Sequence, residues 1–219
     1  MGYNYPTPQL LFKAICNAIR SKTGNSDEIP HQNIPDELDN FITEEEYNIE
    51  MQRFIDIIEG TSFINDRITT VKDNLFSGCN NLTTVNLPEC TSIRSSAFQS
   101  CTSLTTIDLP KCTSIGSNAF FSCNNLTTVN LPECTSIGSN AFFSCNNLTT
   151  IILSNNQVVT LNGTSAFINS PIANGTGYIY VPDNLVDSYK TATNWSTYAN
   201  QIKPISELPS NLKEEYGYV

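Results

Sequence analysis

Between residues 68 and 153 the apolar positions fall into columns with a fixed spacing of 22 residues. Phe76, Phe98, Phe120 and Phe142 form one column, and Cys79, Cys101, Cys123 and Cys145 a second. Leu82, Leu104, Leu126 and Leu148 keep the same spacing, as do Leu87, Leu109, Leu131 and Leu153. Cys90, Cys112 and Cys134 add a further column. A fixed period of this size predicts a stack of near-identical coils, because one coil cannot bury its apolar side chains without neighbours. Within a coil, Val85 and Leu87 alternate with polar Thr84 and Asn86. That alternation predicts a short strand with one face inward and one face in water.

The stretch from Leu82 to Cys90 reads LTTVNLPEC. This is L-x-x-L-x-L-x-x-C, the leucine-rich-repeat signature. The second half, CTSIRSSAFQS, supplies Ile93, Ala97 and Phe98 to the same interior. With strands about 4.8 Å apart, five coils make a rod roughly 25 Å long. The run NAFFSCNNLTTVNLPECTSIG resembles the BspA-type leucine-rich repeats of bacterial surface proteins. That family shows A-F-x-x-C-x-x-L-x-x-I-x-L-P, and residues 68–153 carry it. The chain departs from it in its period of 22, where 23 is commoner, and in having Cys after Pro-Glu. The resemblance implies a right-handed leucine-rich-repeat solenoid, here of about five 22-residue coils.

The flanks suggest three parts: a helical N-terminal module over 1–60, the solenoid over 61–182, and a C-terminal cap with a loose tail over 183–219. Ile68, Val71 and Phe76 read as a first, incomplete coil. Residues 154–182 read as a last coil loosened by an insertion, since Phe167 falls 25 residues after Phe142. The segment from Tyr178 to Ile202 resembles the strand–helix cap that closes such arrays. Tyr178, Tyr180 and Val181 would form its strand. A helix from Asp183 would lay Leu185, Val186 and Tyr189 over the core end, helped by Trp195. The last dozen residues are expected to be loose.

Toward the N-terminus, Leu11, Ile15 and Ile19 recur at helical spacing, between Pro8 and Gly24. Thr43 and Glu46 make a capping box for a further helix. Its face carries Tyr47, Met51, Phe54 and Ile58. That face is expected to pack on the first coil, or to hold copies of the chain together as a homo-oligomer. The stretch LLFKAICNAIRSKTGNSDEIPHQNIPDEL resembles a module of tail-associated structural proteins of phages and prophages.

Charge sharpens this division. The chain has 219 residues and a formal charge of −10. Residues 1–26 carry +3, residues 27–59 carry −10, and residues 60–182 only −1. No basic stripe is available to neutralise phosphates, so nucleic acid is not expected as a partner. No apolar run approaches the length of a membrane span, so membrane insertion is not expected. The first residues have no basic n-region and no long apolar h-region, so no export signal is expected in them.

Candidate chemistry is sparse. His31 is the one histidine and sits among acids, where it reads as solvated. No phosphate loop, G-x-S-x-G or D-x-D-x-D-G spacing occurs, so no catalytic residue, metal or cofactor is expected. The eight cysteines lack C-x-x-C spacing and read as small buried hydrophobes with reduced thiols. Adjacent Thr-Thr pairs diverge to different directions, which does not suit an ice-binding array.

The outward strand face remains. It offers Thr84, Asn86 and Glu89, then Thr106, Asp108 and Lys111, then Thr128, Asn130 and Glu133. A polar surface with few charges suits a protein or glycan. The expected function is non-enzymatic recognition, with a partner that is a protein or glycan on a bacterial cell, or another virion protein. The expected location is a virion or, in the alternative, a bacterial cell surface as a secreted adhesin. A third reading is an inert spacer or decoration module.

Overall fold

A computed structural model of the chain describes residues 62–218. The expected helices of the N-terminal module, with Tyr47, Met51, Phe54, Ile58 and Cys16, lie outside the described residues.

The repeat folds as five stacked coils, each with two short strands. In the first position stand β1 (Ser62–Ile64), β3 (Thr84–Asn86), β5 (Thr106–Asp108), β7 (Thr128–Asn130) and β9 (Thr150–Ile152). In the second stand β2 (Thr70–Val71), β4 (Ser92–Ile93), β6 (Ser114–Ile115), β8 (Ser136–Ile137) and β10 (Thr160–Leu161). All pairings are parallel and join equivalent residues, as in Val85 with Ile107 and Ile93 with Ile115. The second ladder runs unbroken through its five strands. The first is paired as β1–β3–β5 and, separately, as β7–β9 continuing into the cap. The sequence shows the first strand of each coil by its alternation. The second is two residues long and leaves no alternating trace. β1 was likewise not visible, yet Phe63 lies inside and pairs with Val85.

The apolar columns fill one continuous core. Leu82, Leu87, Cys90, Phe98 and their equivalents are fully buried. The phenylalanine column stacks face to face, with centroids 5.1 Å apart for Phe76–Phe98 and 5.7 Å for Phe142–Phe167. Phe121 and Phe143 form a second stack, 5.1 Å apart and only half-buried. All seven described cysteines are buried and unbridged. Cys101, Cys123 and Cys145 donate their S–H to the carbonyls of Phe76, Phe98 and Phe120 at 3.0–3.1 Å. Burial pushes the thiols of Cys112, Cys134 and Cys145 up to about 12. A thiolate is therefore scarce at neutral pH, and these residues serve packing and turn closure.

The first four coils each turn twice through left-handed backbone, and the fifth once. Asn74, Ser96, Asn118 and Asn140 take φ of 55–59°, and Ser100, Ser122, Ser144 and Asn169 take 56–60°. Short polar side chains tolerate this region best after glycine. Close approach sets another position. A Cβ on Gly138 would stand 2.5 Å from the Gly116 carbonyl carbon, so only glycine lets these coils close.

The C-terminal cap begins with β11 (Tyr178–Val181), which pairs with β9. A 3-10 turn (Asp183–Leu185) leads into α1 (Val186–Thr191). Tyr189 and Trp195 are fully buried over the end of the core. Leu185 and Val186 pack there partly buried. The polar tips of the cap meet the last coil's backbone. Trp195 Nε1 donates to the Val159 carbonyl at 2.6 Å, and Asn194 Nδ2 to that of Leu161 at 2.6 Å. The open edge of the stack is thereby closed.

Two features depart from the sequence expectation. A further strand, β12 (Ile202–Pro204), pairs with β11 and extends the first ladder. The tail expected to be loose is instead ordered: Leu208 is buried, and α2 (Ser210–Tyr216) follows it.

Candidate functional site

The tail determines what the outward strand face offers. Parallel register lines up Ile64, Asn86 and Asp108 on one outward column, and Asn130, Ile152, Tyr180 and Lys203 on its continuation. The neighbouring column carries Thr84 and Thr106, then Thr128, Thr150 and Tyr178. From Ile152 into the cap strand, where Tyr178 and Tyr180 follow, this face turns apolar. Ile152 stands where Asn86, Asp108 and Asn130 stand in earlier coils, and it is completely buried. Its cover is the C-terminal segment.

Ile152, Tyr180 and Leu208 form a second, smaller core outside the solenoid. Tyr178, Ile205, Leu212, Tyr216 and Tyr218 pack around it. Polar contacts fix the segment to the rest of the chain at two points and brace it internally at a third. The Ser206 N–H donates to Asp183 Oδ1 at 3.1 Å, and the Ser206 side chain together with this N–H holds that carboxyl below its usual range. Lys213 Nζ donates to the Ser206 carbonyl at 2.8 Å. The Tyr218 hydroxyl donates to Asn130 Oδ1 at 2.8 Å and lies 2.9 Å from Ser154 Oγ. Burial, with Glu215 and Asp108 adding negative charge, pushes the Tyr216 phenol up to about 12.

The nine residues of the outward face therefore have different surroundings. Thr106 and Asp108 are exposed, while Thr84, Asn86, Thr128 and Asn130 are half-buried. Asn130 is engaged by Tyr218. Partial burial raises the Asp108 carboxyl. Glu89 and Lys111 lie in the turns after the strands and pair with each other, with Lys111 Nζ 2.7 Å from Glu89 Oε1. Glu133 is exposed in the equivalent turn. Asn86 Oδ1 is buried and meets no donor. What the structure brings together is a polar strip over β3 and β5, flanked on one side by exposed Ile64 and on the other by the tail.

No group of three or more His, Cys, Asp or Glu that could hold a metal ion occurs among the described residues. No helix among them is long and apolar enough to cross a membrane.

A stack of coils with two parallel strand ladders and buried Leu, Phe and Cys columns defines a leucine-rich-repeat protein. The profile of the BspA type leucine rich repeat region matches residues 47–174 in six copies, and the chain belongs to that family. No curated protein sequence matches the chain. Among solved structures it is similar to a leucine rich cell surface protein from Faecalibacterium prausnitzii A2-165. The TM-score there is 0.50 and the identity 22%, over 64% of this chain and 35% of that one. It is also similar to the T. pallidum leucine rich repeat protein, with a TM-score of 0.48 and 24% identity over 72% of this chain and 82% of that one. A leucine-rich repeat protein from Bacteroides ovatus gives a TM-score of 0.43 at 20% identity, over 66% and 42% of the two chains. The chain thus spans about a third of the length of the F. prausnitzii protein.

Proposed function

We propose that this chain is a non-enzymatic recognition module whose outward strand face binds a protein or glycan on a bacterial cell. The observation that carries this reading is the strip over β3 and β5, centred on exposed Thr106 and Asp108. There the strand face stays polar, while the last coil and the cap strand turn apolar at Ile152 and Tyr180 and are roofed by the tail. A spacer has no need of such a division.

The module is displayed on the outside of a virion, near the tail of a phage or prophage. The N-terminal stretch LLFKAICNAIRSKTG, with its resemblance to tail-associated proteins, supports this placement. A second reading, display on a bacterial cell surface, is favoured by the cell-surface description of the F. prausnitzii protein.

The test is binding of the labelled full chain to intact bacteria, with mammalian extracellular-matrix proteins as comparison. Saturable binding to bacteria, lost in a Thr106→Lys/Asp108→Lys variant with unchanged melting temperature, supports recognition by the strand face. Binding to matrix proteins alone favours the cell-surface adhesin. Binding to neither removes the recognition reading and leaves a structural part.

A further inference from the structure

The repeat places equivalent residues at every junction between coils, so one junction can be compared with the next. Coils two and three are tied on the first-ladder side by more than the pairing of β3 with β5. The Thr105 and Thr106 N–H groups donate to the Thr83 carbonyl at 2.9 and 3.3 Å, and Thr105 Oγ1 donates to it at 3.0 Å. The Leu87 N–H donates to the Asp108 carbonyl at 3.1 Å. Coils four and five repeat the whole set. The Thr149 and Thr150 N–H groups and Thr149 Oγ1 donate to the Thr127 carbonyl, and the Leu131 N–H to that of Ile152.

Between coils three and four this set is missing. Neither Thr127 nor Thr128 donates to the Thr105 carbonyl, Leu109 does not donate to that of Asn130, and β5 is not paired with β7. The rest of the same junction is intact. The Gly138 N–H donates to the Ile115 carbonyl at 2.7 Å, and the Phe120 N–H to that of Ala141 at 2.8 Å. β6 and β8 stay in register, and Phe120 stacks on Phe142 at 5.3 Å. The inward residue at the seam is also the least covered of its column. Ile107 is 5% exposed, while Val85, Val129 and Ile151 are fully buried.

We infer that the β5–β7 junction is a hinge, about which the two halves of the first ladder open while the second ladder serves as the pivot. Backbone bonds set the spacing of coils where they are made, so a junction bonded on one side only yields on the other. Each half moves as a unit. Lys111 ties coil three back to coil two through Glu89. The tail's hydrogen bonds end at Asn130 on β7. The strip over β3 and β5 thus tilts against the roofed half, and the outward face changes curvature without parting the phenylalanine stack. The hinge does not depend on what that face binds.

Two readouts on the full chain test it. The first is amide exchange followed residue by residue. Thr127 should be about tenfold or more less protected than Thr105 and Thr149, its bonded equivalents at the neighbouring junctions. Gly116 and Gly138, on the second ladder, should be protected alike. The second readout is the spread of distances between paired nitroxide labels, in a Cys16→Ser background. Thr105→Cys with Thr149→Cys spans the seam on the first-ladder side. Thr113→Cys with Thr160→Cys spans the same coils on the second-ladder side. All four positions are exposed. The first pair should give the broader distribution. Equal protection of Thr105, Thr127 and Thr149 overturns the inference, because the first ladder is then closed throughout. Equal widths for the two label pairs also overturn it: the seam is then a fixed gap, or the stack loosens everywhere.

Discussion

Leu208→Ala should release the tail without unfolding the solenoid. Leu208 is buried in the small outer core with Ile152 and Tyr180, separate from the main core. Truncating a buried leucine to alanine costs roughly 2–5 kcal/mol. Five of the surrounding residues are only partly buried, so the lower end, about 2 kcal/mol, applies. At 1.4 kcal/mol per factor of ten, that is roughly a 30-fold rise in the open population of the tail. Hydrogen exchange reads it directly. The amides of Lys213 and Tyr218, bonded to the carbonyls of Pro209 and Lys213, should exchange roughly 30-fold faster. The amides of Gly116 and Gly138, bonded across coils to Ile93 and Ile115, should keep their rates. Unchanged exchange in the tail refutes the assignment of Leu208 as its anchor. Equal acceleration in the coils refutes the separation of the two cores.

Other consequences are equally open to measurement. Gly138→Ala should lower stability by about 1–3 kcal/mol in denaturant titration, because its Cβ meets backbone at 2.5 Å and the coils must part. The seven described thiols should resist a thiol reagent at pH 8 in the native state and react fully in denaturant, since all are buried. Asp183 and Asp108 should shift stability with opposite signs. The depressed Asp183 contributes stability above its unfolded value near ~4, and that contribution is lost as pH falls through its lower folded value. Tail exchange should therefore quicken in acid, and Asp183→Asn should remove that part of the pH dependence. Asp108 is raised by partial burial, so its charge disfavours the folded state as pH rises above its unfolded value, and Asp108→Asn should raise stability to denaturant at pH 7.

The repeat was legible because its constraint is strict. Phe98, Cys101, Leu104 and Leu109 must return every 22 residues for coils to stack in register, so the columns stand out in one sequence. The cap was legible for a similar reason: Tyr189 and Trp195 are too large to be left uncovered at the end of a core. The second strand of each coil was not, because two residues such as Ser92–Ile93 carry no periodicity. The tail was missed although its trace was present. Ile205, Leu208, Leu212 and Tyr216 recur near helical spacing, and Ile152 stands where the three preceding repeats have Asn86, Asp108 and Asn130. Each signal is weak alone. Only the parallel register, which sets Ile152 beside Asn130 and Tyr180, shows that one explains the other. The orphaned oxygen of Asn86 has no sequence trace, since its twin at position 130 reads identically.

The tail is anchored at the end of the stack, and its reach is set by the length from Pro204 to Tyr218, not by the number of coils. Along the second ladder, junctions between successive coils are interchangeable, as the repeated Thr113-to-Thr91 and Thr135-to-Thr113 hydrogen bonds show. Adding a coil therefore lengthens only the open strip and leaves the roofed part as it is. Duplication of a 22-residue unit enlarges the recognition surface in whole steps, at no change in the closing structure. Repeat number thus becomes a dial for footprint, and the fixed roof is the zero from which that dial is read.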